Sequence, residues 1–142
     1  MTTMNLDLAQ TLIAGALAHR HENGMKPLTI AVIDAGGHLV ALAREDGSSN
    51  LRPEIAQGKA KGAVAMGLGS RALFQRAEQQ PYFIQSMNAL QGGALVPVPG
   101  GVLVMQDGTM IGAMGITGDT SDNDEACAVA AINAAGLEAS TG

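Results

Sequence analysis

Beyond Arg76 the sequence contains no lysine or arginine, although residues 77–142 hold seven of its 13 acids. All eight bases come earlier, and six of them (Arg44, Arg52, Lys59, Lys61, Arg71 and Arg76) lie between positions 44 and 76. The two parts therefore carry +2 and −7, which sum to the net charge of −5. An acidic chain of this kind lacks the dense cationic surface that neutralises nucleic-acid phosphates, so a nucleic-acid partner is excluded. The segregation points either to an anion site in the first part or to a complementary contact of the chain with itself. Tryptophan is absent, and the aromatic side chains are only Phe74, Tyr82 and Phe83, all within ten positions. A lone cysteine, Cys127, excludes an internal disulfide framework and a multi-cysteine zinc site, and it suits a reducing compartment. No apolar run reaches membrane-spanning length and no secretory leader is visible, so the expectation is a soluble, cytoplasmic protein without a membrane partner.

What remains is small and apolar. With 142 residues, 46% of them hydrophobic, the chain is long enough to bury one core, and one domain over residues 1–142 is expected. Eight methionines with many Ala, Val, Leu and Ile must fill that core, and 19 glycines imply tight turns and close backbone approaches. Residues 5–23 show helical spacing of Leu6, Ala9, Leu12, Ile13, Ala16 and Leu17, with Asn23-Gly24 as a stop. Residues 28–34 and 38–44 read as two strands around an Ala-Gly-Gly turn.

Helical segments are predicted over 53–68, opened by Pro53, over 70–79, capped by Ser70, and over 81–90, opened by Pro81. In the first of these, Gly58 and Gly62 demand close packing to offset their helix cost. Residues 94–98 are expected as a short, irregular edge strand, and 101–106 with 109–117 as a hairpin across Asp107-Gly108. A last helix from Asp122 to about Ala135 completes the order αββαα(α)βββα. Hairpins near both ends of this order favour an α+β antiparallel sheet with helices packed on it.

The stretch Thr-Gly-Asp-Thr-Ser-Asp-Asn-Asp-Glu-Ala-Cys, residues 117–127, gathers Asp119, Asp122, Asp124 and Glu125. It lacks the spacing of a calcium loop, and the preferred reading is that Asp122 and Glu125 form a capping-box-like pair at a helix start, with no metal site. Asp119 falls at a strand-to-helix junction, where free N–H groups favour a ligand. Cys127, behind these acids, reads as a core residue. His19 and His21 either ligate haem or a metal or stand exposed at a helix end, and two positions apart they cannot share one face.

Asp34 and His38 flank one hairpin mouth and suit acid–base work, or equally a turn held by polar residues. Lys59 either points inward to grip a carboxylate or lies on a solvated face. Gly100 and Gly101 provide a side-chain-free surface for a planar ligand or a neighbouring subunit, or else simply a bend into the next strand.

The segments Asp34-Ala-Gly-Gly-His-Leu39, Arg44-Glu-Asp-Gly47, Lys59-Ala60, Pro99-Gly-Gly101, Asp107-Gly108, Ile111-Gly-Ala-Met-Gly-Ile-Thr-Gly118 and Asp124-Glu125 follow one another across nearly the whole chain. Together they resemble the HbpS-like, GlcG family, whose domains are also found at the C-terminus of PduO-type proteins. The resemblance implies a profilin-like fold, an antiparallel five-stranded sheet with helices on both sides. It also implies a homo-oligomer, dimer-based with an octamer among the expected forms, and haem or a related tetrapyrrole as ligand.

Two functions from different classes follow. In the first, an oligomer binds haem: Arg or Lys side chains of the 44–76 segment pair with propionates while apolar residues near Phe74, Tyr82 and Phe83 cover the macrocycle. In the second, an isomerase, tautomerase or lyase acts on a small carboxylate metabolite of a catabolic pathway. There Arg52 or Lys59 holds the carboxylate, and Asp34, His38 or an acid such as Asp119 moves a proton. The expected ligand contacts are Arg52, Lys59, Phe74, Tyr82, Phe83, Gly100, Gly101 and Glu125. The acid–base candidates are Asp34, His38, Lys59 and Asp119.

Overall fold

A computed structural model describes residues 3–142. Helix α1 (Leu6–Glu22) starts at Asn5, whose side chain accepts a hydrogen bond from the Leu8 N–H, and stops at Asn23 before the left-handed Gly24. Strands β1 (Thr29–Asp34) and β2 (Leu39–Arg44) form the first hairpin. Helices α2 (Arg52–Met66), α3 (Ser70–Gln79) and α4 (Pro81–Leu90) follow. Strands β3 (Gly101–Gln106) and β4 (Thr109–Thr117) turn through Asp107 and Gly108, both at positive φ as a two-residue hairpin requires. Helix α5 (Ser121–Ala134) and a short strand β5 (Glu138–Ser140) close the chain.

The sheet is antiparallel throughout, in the order β2-β1-β4-β3-β5. Alternation along the central strands assigns each side chain to one of two layers. Ile30, Val32, Val102, Val104, Met114 and Ile116 pack with Leu12, Ala16, Cys127, Ala128 and Ile132 of α1 and α5. On the other face Ile33, Leu103 and Ala113 meet Ala60 and Ala63 of α2. The expected α+β architecture with helices on both faces is thus present, but its fifth strand is not where the sequence suggested. Residues 94–98 form no strand. They cross α2, where the Val96 N–H donates to the Gly58 carbonyl at 3.1 Å, and a side chain at Gly58 or Gly62 would run into Val96 or Leu95. The edge position is taken by β5, three residues too short to show a periodic pattern.

Two helix starts also differ from expectation. The residue capping α3 is Gly69, because the buried Ser70 hydroxyl is turned to β3, accepting from the Gly101 N–H at 2.7 Å and donating to the Gly101 carbonyl at 3.3 Å. At α5 the cap is Thr120, whose hydroxyl accepts from the Asn123 N–H at 3.2 Å, so Asp122 and Glu125 are free for other partners.

Helix α2 lies unusually close to β4 because the strand offers glycine there. A Cβ at Gly115 would overlap the Ala56 carbonyl and press on the Ala60 amide. Gly115→Ala is therefore expected to lower stability by about 3 kcal/mol, read from the urea midpoint at unchanged slope.

Candidate functional site

At the end of the sheet where β4 runs into α5, the charges segregated in sequence come together. Lys59, buried on α2, donates from Nζ to the Ile116 carbonyl at 2.9 Å and lies 3.5 Å from Oδ2 of the equally buried Asp124. The other oxygen, Oδ1 of Asp124, accepts the Asp119 N–H at 3.0 Å. Burial lowers the pKa of Lys59 and raises that of Asp124, and their mutual attraction opposes both shifts. The carboxylate gripped by the inward lysine is thus the chain's own. Gly100 and Gly101 make room for that lysine rather than for a planar ligand: a Cβ at Gly100 would stand 2.8 Å from Nζ, and one at Gly101 would overlap the Lys59 carbonyl.

Arg71 forms the second link between the basic and acidic segments. Its Nε lies 2.9 Å from Glu125 Oε2, and its Nη2 lies 2.5 Å from Asp122 Oδ1. Both acids are thereby explained as partners of Arg71 across the α3–α5 contact rather than as a capping box. Arg52 donates from Nη1 to the buried Thr117 hydroxyl at 2.7 Å and from Nε to Ser49 Oγ at 3.3 Å. Asp119 accepts the N–H groups of Lys26 and Thr120 and the Asn123 side-chain amide, at 2.7–2.9 Å. These bonds, that from the Lys26 N–H foremost, pull its pKa down to about 2. Cys127 is buried, its Sγ 3.3 Å from the Ala16 carbonyl, and burial pushes its thiol up to about 12. Such a thiol is no nucleophile at neutral pH. Among the described residues no group of three or more His, Cys, Asp or Glu side chains is placed to hold a metal ion. No described helix is long and apolar enough to cross a membrane.

The acid–base candidates do not converge. Asp34 is opposite Gly112 in the β1–β4 ladder whereas Thr29 is opposite Thr117, so the Asp34–His38 pair lies five strand residues from the Lys59 end, roughly 16 Å at strand rise. Within one chain Lys59 or Arg52 cannot hold a substrate against His38. The aromatic candidates are dispersed as well. Phe83 is stacked under Arg76, 4.0 Å from guanidinium to ring centre, beside a cavity lined by Met66, Leu68 and Leu73. Phe74 borders a different cavity with Arg71, Pro99 and Thr120, while Tyr82 is 67% exposed and lines neither.

Among the described residues, His19 and His38 each line a cavity. One, of about 340 Å³, lies between the end of α1 and the start of α5 and is lined by His19, Asn23, Met25, Asn123 and Ala126. The other, of about 430 Å³, opens at the far end of the sheet beside His38. His21 lines neither; its Nδ1 lies 3.2 Å from Nη1 of Arg20. Met25 was not singled out in the sequence, since it lies in the irregular segment after α1 where no periodicity marks it.

The family described as haem degrading protein HbpS-like matches residues 4–133. Protein GlcG of Escherichia coli (strain K12) is 33% identical over 118 residues, which cover 80% of this chain and 81% of that protein. Corrinoid adenosyltransferase PduO of Citrobacter freundii is 29% identical over 121 residues, covering 83% of this chain but only 36% of that protein. The crystal structure of a PduOC:heme complex superposes with a TM-score of 0.85 at 25% identity, covering 96% of this chain and 97% of that one.

Two outcomes are expected from this geometry. Lys59→Met should cost about 3 kcal/mol by leaving Asp124 buried without its cation, and adding Asp124→Asn should restore most of it in a double-mutant cycle read by urea unfolding. Asp119 has a folded-state pKa below its ordinary 3.8, so its stabilisation is complete above that value and lost as pH falls towards about 2. Asp119→Asn should be less stable than the parent by about 1 kcal/mol at pH 7, allowing for solvent screening, and the gap should narrow below pH 4 and close only as the pH passes below about 2.

Proposed function

The chain belongs to the HbpS-like family, and we propose that it binds haem or a related tetrapyrrole at a site shared between subunits of a homo-oligomer. The observation that carries this reading is the cavity lined by both His19 and Met25. Nitrogen and thioether sulfur are both donors that haem iron accepts. The same end of the molecule offers a cation for a propionate: the exposed Lys26 side chain forms no ion pair among the described residues, whereas Arg20, next to His19, is already held 3.3 Å from Glu45. A volume of about 340 Å³ takes part of a ligand rather than a whole macrocycle, so the remainder would rest on a second copy of the chain. A dimer is the smallest assembly that meets this need, and an octamer built of dimers meets it equally. The heme-bound PduOC structure, alike in fold over 96% of this chain, supports the same ligand class. A single, buried, unreactive thiol fits a protein working in the reducing cytoplasm.

When bound, haem would supply iron-centred ligand or redox chemistry. The chain's own part is to present one imidazole nitrogen, exclude water with Met25 and Ala126, and pair a propionate. This version replaces the arrangement suggested by the sequence, since Lys59 is committed to Asp124, Arg52 to Thr117 and Ser49, and the aromatic side chains do not surround one cavity.

Titration of the purified protein with hemin should give a saturable Soret shift at no more than one haem per chain. His19→Ala should weaken binding at least tenfold and alter the Soret position, while His21→Ala and His38→Ala leave both within twofold. Absence of saturation in the parent protein removes the haem reading; equal spectra for parent and His19→Ala remove His19 from it. Native mass spectrometry of the same samples should show an even number of subunits.

A further inference from the structure

The His38 cavity lies at the opposite end of the sheet from His19 and plays no part in haem binding as proposed above. Its construction begins with Asp34-Ala-Gly-Gly-His38. Oδ1 of Asp34 accepts the N–H groups of Gly36 and His38, each at 2.9 Å, which closes the turn. The imidazole is a separate matter, because the turn is complete without it. Nδ1 of His38 nevertheless lies 3.1 Å from Oδ1 and 3.3 Å from Oδ2.

Glycine permits this placement. A Cβ at Gly36 would stand 2.8 Å from Cε1 and 2.9 Å from Nδ1 of the ring, and Gly37 adopts φ +85°. The N–H donors, that of His38 first, hold the Asp34 carboxyl below its ordinary range and hence ionised. An ionised carboxylate only accepts, so in the neutral form of the ring it is Nδ1 that carries the hydrogen and Nε2 that keeps its lone pair. The ring side chain is 79% exposed and gains little burial from this position. Among the described residues no group hydrogen-bonds Nε2.

The adjoining cavity, about 430 Å³, is walled by Met4, Ala35, Thr109, Met110 and Ile111, and no lysine or arginine lines it. An acceptor nitrogen beside an apolar wall selects a ligand with one hydrogen-bond donor and an apolar body. The ionised Asp34 and the lack of any cation in the lining act against a carboxylate or phosphate. We propose that this cavity is a binding site for a small neutral hydroxylated molecule, a phenol or alicyclic alcohol, whose O–H is accepted by Nε2 of His38 while its ring packs on Met4, Met110 and Ile111. Asp34 acts as a positioning residue, fixing which ring nitrogen accepts.

The test uses phenol, cyclohexanol and benzoate as probes on the full chain. Methyl signals of Met4, Met110 and Ile111 and the ring nitrogens of His38 are followed by NMR. Phenol and cyclohexanol are expected to saturate below about 10 mM, an affinity ordinary for so few atoms. Benzoate, the same ring with a carboxylate in place of the hydroxyl, should bind at least tenfold more weakly than phenol. His38→Ala should weaken phenol at least tenfold. Ala35→Trp, which fills the exposed lip, should abolish the methyl shifts while leaving the Asp34–His38 nitrogen signals in place. No saturation by either alcohol up to about 50 mM, equal phenol binding in the parent and His38→Ala, or benzoate binding as well as phenol would each overturn the proposal.

Discussion

The rest of the structure hangs on one buried charge. Lys59 leaves helix α2 on one face of the sheet, passes the end of β4, and meets Asp124 of α5 on the other face, while its ammonium also donates to the Ile116 carbonyl. Two helical layers and the sheet between them are thereby tied at a single point. Removing either charge alone strands the other away from water, which is the costly case for a buried pair. Gly100, Gly101 and Gly115 answer the same constraint, since α2 must approach the β3–β4 backbone closely for the lysine to arrive there. A side chain at any of these positions would lift the helix and separate the ions.

The uneven distribution of charge has its explanation in that arrangement. Bases confined to the first part of the chain and acids concentrated after it need not imply a charged partner. Lys59 with Asp124, and Arg71 with Asp122 and Glu125, use the segregation to dock α2 and α3 against α5. What is left for ligands is correspondingly smaller than the count of charged residues suggests. The two histidine-bearing cavities lie at opposite ends of the sheet and differ in character. His19 shares its cavity with Asn23, Met25 and Asn123; His38 stands beside a fixed carboxylate with an apolar wall.

Local signals were readable to the extent that their physics was local. Helix and hairpin bounds followed from period, proline, glycine and Asp107-Gly108, and they differ from the observed elements by only one or two residues. The crowding glycines of α2 announced close packing, and Val96 and Leu95 provide it. The exceptions share a cause. Ser70, Asp122 and Glu125 all have side chains suited to capping, and nothing nearby in sequence reveals that Gly101 and Arg71 compete for them across the fold. Strand β5 escaped notice because three residues paired to a distant edge carry no pattern of their own.

The same division holds for the sites. Asp34, the two following glycines and His38 lie in a span short enough that turn geometry alone brings carboxylate and imidazole together, so their pairing was determined by sequence. The separation of that pair from Lys59, the enclosure of Lys59 by Asp124, the scattering of the three aromatic side chains and the placing of Asn123 and Ala126 in one cavity with His19 were decided only by tertiary structure. Backbone geometry over four or five residues is set by the residues themselves. Which charges lose water, and which side chains share a cavity, depends on strand register and helix docking between segments far apart in the chain.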